Sequence, residues 1–221
     1  MSRTVTDDPD TSSPPARGRR PMSPRRRERQ RLEISREALR LFRARGVAET
    51  TGEDIADAVG LSVRTLWRYF RSKESCVEPV LSQTTDAFAE TLRRWPADRS
   101  LPDHLIADHR ASDRPEPADR DATLAVVALS RREPALRAIW LVVYERAEPV
   151  LAEVLAERLG RAADDLAVRV QAATLTAALR IATEDIAAAV ADGRPRTEEE
   201  GRARLSESVR AATHGVLGDD G

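Results

Sequence analysis

The sequence has few of the residues that form cross-links, metal cages and many catalytic sites. Its 221 residues include one cysteine, Cys76, and three histidines. One thiol cannot form an internal disulfide or a cysteine-based metal cage. His104 and Asp108 have the spacing of two ligands on one helix face, but a metal site needs more ligands, so a solvated pair is the favoured interpretation. The sequence therefore predicts no metal site.

The motifs of common enzyme classes are also absent. The chain contains no glycine-rich phosphate loop, no H-E-x-x-H, no nucleophile elbow and no cysteine–histidine set. We therefore expect that the protein is not an enzyme and uses no cofactor.

A long uninterrupted apolar run is absent too. The most apolar stretch, residues 172–190, is interrupted by Arg180, Glu184 and Asp185, and such charges are costly at the centre of a bilayer. No apolar segment of the secretory type follows the N-terminus. We therefore expect no membrane span and a cytoplasmic protein.

Charge is balanced overall but unevenly distributed along the chain. The net charge is −1, yet residues 1–74 hold 17 basic and 11 acidic residues, and the remainder holds 19 and 26. The balance excludes a uniformly basic nucleic-acid coat and a polyacidic chain. It also makes the N-terminal third the basic part of the protein.

The basic N-terminus begins as a segment that is not expected to fold. Residues 1–24 contain five prolines and no apolar periodicity, which predicts a disordered basic tail. Eight arginines then fall between positions 17 and 31. Two interpretations stay open for this arm: a solvated charged segment, or an arm that lies along a phosphate backbone or in a minor groove.

From Arg25 onwards the apolar pattern is helical throughout, and no alternating run indicates a strand. The pattern predicts an all-α protein of about nine helices. Ser72 is expected to cap the fourth helix, with a bend at Pro79. The expected helices are 25–45, 51–60, 62–70, 72–95, 101–110, 122–132, 134–159 with a kink at Pro149, 165–191, and a last one opened by Thr197 and Glu200 and ending near 214.

Residues 51–70 have the spacing of a helix-turn-helix. The small Ala56 allows two helices to approach, Gly60 permits a sharp turn, and Leu66 is placed to be buried between them. The second helix would then project Arg64, Thr65, Arg68 and Tyr69, with Trp67 at the margin of that face. These donors suit phosphates and base edges. The alternative is a packed helix pair whose exposed basic face has no partner.

The run TTGEDIADAVGLSVRTLWRYFRSKES resembles the DNA-binding region of TetR-like transcriptional regulators. The resemblance extends from about Arg26 to Val80. It implies a helix-turn-helix domain at 25–72 and a ligand-binding and dimerisation domain at 73–217. It also implies the following DNA-contacting residues: Thr51 and Lys73 on phosphates, Thr65, Trp67 and Tyr69 on the backbone, Arg64 and Arg68 on bases, together with the N-cap Ser62.

One residue departs from the family pattern. Many members have tyrosine where this chain has Trp67, and an indole donates one hydrogen bond but accepts none. The alternative role for Trp67 is packing against the first helix.

The resemblance further implies a homodimer, a pseudo-palindromic operator on double-stranded DNA and a small-molecule effector. The last two long helices are expected to dimerise, the final one through Leu205, Val209 and Ala212. The segment 131–160 is similar to a branch with acyl-coenzyme-A-like or fatty ligands. Candidate pocket residues are Phe88, Trp95, Leu124, Val127, Trp140, Val143, Tyr144 and Arg180.

Arg180 lies in an apolar helix and therefore needs a partner, either Glu184 four residues later or an anion on the ligand. We interpret the chain as a ligand-released repressor. The alternative is a helix-turn-helix architectural or partner-binding protein without an effector.

Overall fold

The computed structural model describes residues 23–111, 117–194 and 197–213. In these ranges the chain is helical and contains no strand, which confirms the all-α prediction. One short 3-10 turn, Glu74–Val77, accompanies the α-helices. The helices are α1 (Pro24–Arg45), α2 (Gly52–Ala58), α3 (Val63–Tyr69), α4 (Glu78–Arg93), α5 (Leu101–Ala111), α6 (Pro117–Ser130), α7 (Pro134–Leu159), α8 (Leu166–Ala191) and α9 (Glu198–Thr213).

The predicted tail meets α1 slightly earlier than expected. Ser23 is the N-cap of α1, accepting a hydrogen bond from the Arg26 amide, and Pro24 occupies the first turn, where its missing N–H costs nothing. These two residues therefore belong to the helix. The rest of the predicted tail, residues 1–22, lies outside the described residues.

Helices α1 to α3 share one small core. Ile34, Phe42, Ile55 and Leu66 are each at most 1% exposed. Gly46 ends α1 with a φ of 87°, a conformation that glycine adopts without strain. These helices thus form a compact unit around the inward side of α3.

Two predicted helix starts are wrong. Helix α4 begins at Glu78 and not at Ser72, because a 3-10 turn precedes it, and the Ser72 hydroxyl accepts from the Ser75 amide in that turn. Pro79 lies in the first turn of α4, where proline fits without a bend. Helix α6 begins at Pro117, about five residues before the predicted start. Its first residue is thus also a proline, which fits the first turn of a helix.

The C-terminal bundle is built around the two longest helices, α7 and α8. Helix α8 packs against α6, α7 and α9, while α4 packs on α7 and α5 on α9. Trp140 and Val168 are fully buried at its centre. Cys76 is also buried, which raises the pKa of its thiol to about 12. None of the described helices is both long and apolar enough to cross a membrane.

Polar contacts join α1 directly to this bundle. The Arg36 guanidinium donates two hydrogen bonds of 2.7 Å to the Asp119 carboxylate on α6, whose side chain is only 4% exposed. The neighbouring residue on α1 makes a second contact: the Ser35 hydroxyl accepts from the Val80 amide at the start of α4. The N-terminal unit therefore cannot rotate on the bundle without breaking buried hydrogen bonds.

Arg36→Ala should lower the free energy of unfolding by about 1–3 kcal/mol, because it leaves a nearly buried carboxylate without its two donors. Arg40→Ala is the matched control, since Arg40 pairs with Glu37 on the exposed side of the same helix and such pairs contribute under about 1 kcal/mol. Chemical denaturation of both variants provides the measurement. Equal losses would show that the Arg36–Asp119 pair does not stabilise the junction.

Candidate nucleic-acid interface

Helix α2 begins with a complete capping box. The Thr51 hydroxyl accepts from the Asp54 amide at 3.1 Å, and the Asp54 carboxylate accepts from the Thr51 amide at 2.8 Å. These hydrogen bonds from Thr51, with a smaller contribution from Arg45, hold the pKa of Asp54 below its usual value. The Thr51 hydroxyl also donates to Asp54, so its proton already has an acceptor within the chain.

The turn between α2 and α3 follows the spacing read from the sequence. Gly60 has a φ of 65°, and the Leu61 amide donates to the Ala56 carbonyl at 2.9 Å. Ser62 caps α3 by accepting from the Thr65 amide. Leu66 is fully buried beneath the helix. The predicted helix-turn-helix geometry is therefore confirmed.

The outward face of α3 presents donors and no acid. Arg64 and Arg68 are exposed, and the hydroxyls of Ser62 and Thr65 lie 2.8 Å apart at the N-terminal end. The structure thus brings together the two residues predicted to read bases, Thr65, which was predicted to contact the DNA backbone, and the N-cap Ser62. We refer to α2, the turn and α3, residues 51–70, as the reading unit.

Trp67 rests on the first residue of α2. Its side chain is 42% exposed, and a Cβ added at Gly52 would overlap the Cζ2 and Cη2 atoms of its indole. The alternative role offered for Trp67, packing against the first helix, is therefore wrong in its partner: the ring packs on α2. Only a residue without a side chain at position 52 leaves room for the indole.

Tyr69 connects the end of α3 to α1. Its hydroxyl donates to Gln30 Oε1 at 2.8 Å, and the Arg27 guanidinium lies 5.7 Å from the centre of its ring. The phenol proton is therefore used within the chain. The backbone contact expected of Tyr69 stays a prediction.

Lys73 has a different set of partners from the one expected. Its ammonium donates to the carbonyls of Val47 at 2.7 Å, Thr50 at 2.8 Å and Ala48 at 3.2 Å. An ammonium has three N–H donors, so all three are used on the α1–α2 loop. The expected phosphate contact of Lys73 stays a prediction, and it would require exchange of one carbonyl.

Sequence reasoning missed the residues that support the reading unit from a distance. These are Gln30 and Arg27 beneath Tyr69, Gly52 beneath Trp67, and Arg45, which donates to Asp54. A glycine at the first position of a helix was the one available signal, since nothing in the backbone there requires it. The other contacts join positions that no local pattern connects.

The predicted pocket residues lie in the interior of the C-terminal bundle. Phe88, Val127, Trp140, Val143 and Tyr144 are all under 5% exposed and belong to its core, and Leu124 packs against that core. Trp95 is also partly buried and packs against that core from its edge. It lies at the far end of α4, where the Arg158 guanidinium covers its ring at 3.5 Å.

Arg180 has the partner that its helix offers. Its guanidinium donates to both carboxylate oxygens of Glu184, at 3.0 and 3.1 Å. The Glu184 carboxylate also accepts from Arg137 and from the Trp140 indole. Burial by itself raises the pKa of this carboxyl, but the hydrogen bonds from Trp140, Arg137 and Arg180 bring it below its usual value. Glu184 therefore remains ionised between two arginines.

A cleft of about 80 Å³ opens between α4 and α7, with Thr85, Ala89, Val143, Ala147 and Val150 among its lining residues. Pockets for drug-sized ligands usually hold about 300–1,000 Å³. A ligand of that size would enter here only if α4 and α7 separated.

Comparison with known protein families matches both parts of the chain. The family model described as "Bacterial regulatory proteins, tetR family" matches residues 34–80, and the model described as "MftR C-terminal domain" matches residues 102–214. The first match contains the reading unit, and the second runs along α5 to α9.

Individual relatives agree with the family models. The HTH-type transcriptional regulator TcmR of Streptomyces glaucescens is 35% identical over 172 residues, 75% of either chain. The regulator LuxR of Vibrio harveyi is 36% identical over 76 residues, 34% of this chain and 36% of LuxR. A solved structure of Thermus thermophilus FadR, a TetR-family transcriptional repressor in complex with lauroyl-CoA, is 25% identical with a TM-score of 0.54. The aligned region covers 86% of this chain and 97% of the FadR chain.

Gly52→Ala should destabilise the protein by about 1–3 kcal/mol through overlap with the Trp67 indole. Gly52 has an ordinary helical φ, and alanine favours a helix by up to about 1 kcal/mol over glycine, so the backbone alone predicts the opposite sign. The double variant Gly52→Ala, Trp67→Ala should be more stable than Gly52→Ala alone, because it removes the indole that the added methyl group overlaps. Thermal unfolding of the wild type and the two variants tests this, and a stabilising Gly52→Ala would disprove the packing.

Lys73→Arg separates the two roles of Lys73. A phosphate contact can be made by lysine or by arginine. A planar guanidinium, however, cannot direct three donors at carbonyls that converge on one ammonium. We expect Lys73→Arg to lower both the melting temperature and the DNA affinity, with the slope of log affinity against log salt unchanged. Arg43→Lys, on an exposed position of α1, is the control. A variant with wild-type melting temperature and affinity would favour the phosphate role.

Proposed function

The chain belongs to the TetR family of DNA-binding transcriptional regulators, and from this premise we propose that it is a homodimeric repressor. It would bind a pseudo-palindromic operator through Thr51, Ser62, Arg64, Thr65, Trp67, Arg68, Tyr69 and Lys73. A small hydrophobic or acyl ligand in the C-terminal bundle would release it. The observation that carries the DNA-binding role is the outward face of α3. Arg64 and Arg68 are exposed on this face, and Leu66 on the opposite side of the helix is buried in the core.

The proposed dimer uses a stripe of exposed apolar residues on α8. Leu166, Val170 and Ile181 are 72%, 55% and 53% exposed, and with the partly buried Ala177 and Ala188 they recur at intervals of four and seven residues, so they share one helix face. The expected α9 contribution differs: Val209 is fully buried, and Leu205 and Ala212 pack on the chain's own core. The α8 stripe is thus the better-supported surface for a second copy.

A two-fold dimer would place two α3 helices about one DNA turn, or about 34 Å, apart, which matches successive major grooves. The operator would then be an inverted repeat. Selection of genomic DNA fragments by the purified protein, followed by a stoichiometry measurement on the enriched duplex, tests this directly. We expect an inverted repeat bound by two chains, and failure to enrich any sequence over bulk DNA would contradict the proposal.

The proposed effector is an acyl compound, because FadR, which resembles this chain along its length, was solved with lauroyl-CoA. The α4–α7 cleft supports an entry route. Helix α4 follows the reading unit through the 3-10 turn at Glu74–Val77, so separation of α4 from α7 would move α3. Operator binding that no ligand alters would favour the alternative, a helix-turn-helix protein without an effector.

Arg64→Ala should relax base preference at one position of each half-site and weaken operator binding by about 1–3 kcal/mol. Tyr69→Phe removes the hydroxyl expected near the DNA backbone together with its hydrogen bond to Gln30. Neither interaction reads a base, so the variant should weaken binding to all sequences equally. Fluorescence anisotropy on a set of single-base operator variants measures both effects. An Arg64→Ala protein with lower affinity but unchanged preference would show that Arg64 does not read a base.

Val150→Trp should reduce release of the operator by lauroyl-CoA, since Val150 lines the α4–α7 cleft and an indole would fill its mouth. Leu159→Trp is the matched control: it lies on the same helix, is 45% exposed and is absent from the cleft lining. Operator affinity without ligand should be unchanged in both. If the two variants respond alike to lauroyl-CoA, the cleft is not the entry route.

A further inference from the structure

Helix α1 carries two kinds of arginine. Arg31, Arg36, Arg40 and Arg45 each form an ion pair with a carboxylate of the chain. Arg25, Arg26 and Arg29, in the first two turns, are exposed, and within the described part of the chain no acidic side chain pairs with them. We call these three residues the arginine surface.

The folded chain alone does not account for the arginine surface. The N-terminal end of a helix carries a partial positive charge from its unpaired N–H groups. Acidic side chains are therefore stabilising there and basic side chains are not. The first turn of α1 nevertheless contains no acid. Three unpaired positive charges at this end repel one another and the helix end. A bound anion would relieve both effects.

The position of the arginine surface indicates which anion. Gln30 of α1 accepts the Tyr69 hydroxyl at the end of α3, so α1 and α3 touch at this point. Arg26 precedes Gln30 by one turn on nearly the same face, and at 1.5 Å per residue all three arginines lie within about 8 Å of it along α1. The arginine surface therefore begins where α3 ends.

We propose that the arginine surface binds phosphates of the duplex just outside the half-site that α3 reads. The inference rests on the proposed DNA-binding role of α3. With α3 in a major groove, the first turns of α1 extend over the sugar–phosphate backbone at the edge of that groove. Guanidinium groups suit this position because they bind phosphate oxygens through two parallel N–H donors. The contacts would position the protein without reading sequence.

The test compares the wild-type full-length protein with the triple variant Arg25→Gln, Arg26→Gln, Arg29→Gln. Glutamine has about the same helix propensity as arginine, so α1 should persist. Each phosphate contact contributes about 0.9 to the slope of log affinity against log salt. A dimer of the triple variant lacks six such contacts, so its slope should be less steep by about 5 and its affinity at 50 mM salt at least about tenfold lower. Its ranking of operator base variants should be unchanged.

A second comparison locates the phosphates. The duplex is either cut at the outer end of each half-site or extended by several base pairs. The wild type should bind the extended duplex more tightly, and the triple variant should bind both equally. Arg99→Gln, Arg131→Gln, Arg132→Gln is the matched control, with three exposed arginines that lie outside the N-terminal unit and the α8 stripe, and should behave as the wild type.

The outcomes distinguish this inference from the proposed function. A triple variant with wild-type slope and wild-type preference for the extended duplex overturns the arginine surface alone. A triple variant that loses slope but changes its base ranking assigns these arginines to base reading and also overturns it. A wild-type protein that binds no operator contradicts the proposed function instead.

Discussion

The ammonium of Lys73 binds three carbonyls of the α1–α2 loop, and the exposed side chains of α3 depend on that loop. The loop ends at Thr50, so it fixes the start of α2 and its capping box. Helix α2 in turn offers Gly52 as the surface for Trp67. The orientation of α3 thus depends on this chain of contacts, which begins at Lys73. A lysine suits this position because three donors at one nitrogen can reach converging acceptors, and Lys73 is the only lysine of an otherwise arginine-based chain.

The N-terminal unit is joined to the bundle through α1 as well as through the chain at α4. Arg36 pairs with Asp119 on α6, and Glu78 at the start of α4 lies between Arg31 of α1 and Arg146 of α7. A displacement of α4, α6 or α7 therefore acts on α1 and, through the Gln30–Tyr69 contact, on the end of α3. Any ligand that separates the bundle helices must work against these ion pairs. The same contacts give the unliganded protein one defined orientation of its reading unit.

The sequence predicted features that local physics determines. The cap at Ser62, the turn at Gly60 and the burial of Leu66 all follow from spacing within one or two turns, and the structure has them. The two wrong helix starts concern Pro79 and Pro117. Pro79 was expected to bend α4 but lies in its first turn, and Pro117 likewise begins α6, because proline fits the first turn of a helix.

Contacts between distant positions could not be predicted in this way. Lys73 reaches carbonyls 23 to 26 residues earlier, Tyr69 reaches Gln30, and Glu184 gathers donors from α7 and its own helix. The inward orientation of Val209 likewise depends on how α5 and α8 pack around α9. The central claim is that α3 enters the major groove. Dimethyl sulfate footprinting on the selected operator tests it most directly, because the reagent methylates guanine N7 in that groove. We predict two protected guanine clusters about one helical turn apart. Unprotected guanine N7 atoms throughout a bound operator would contradict the account.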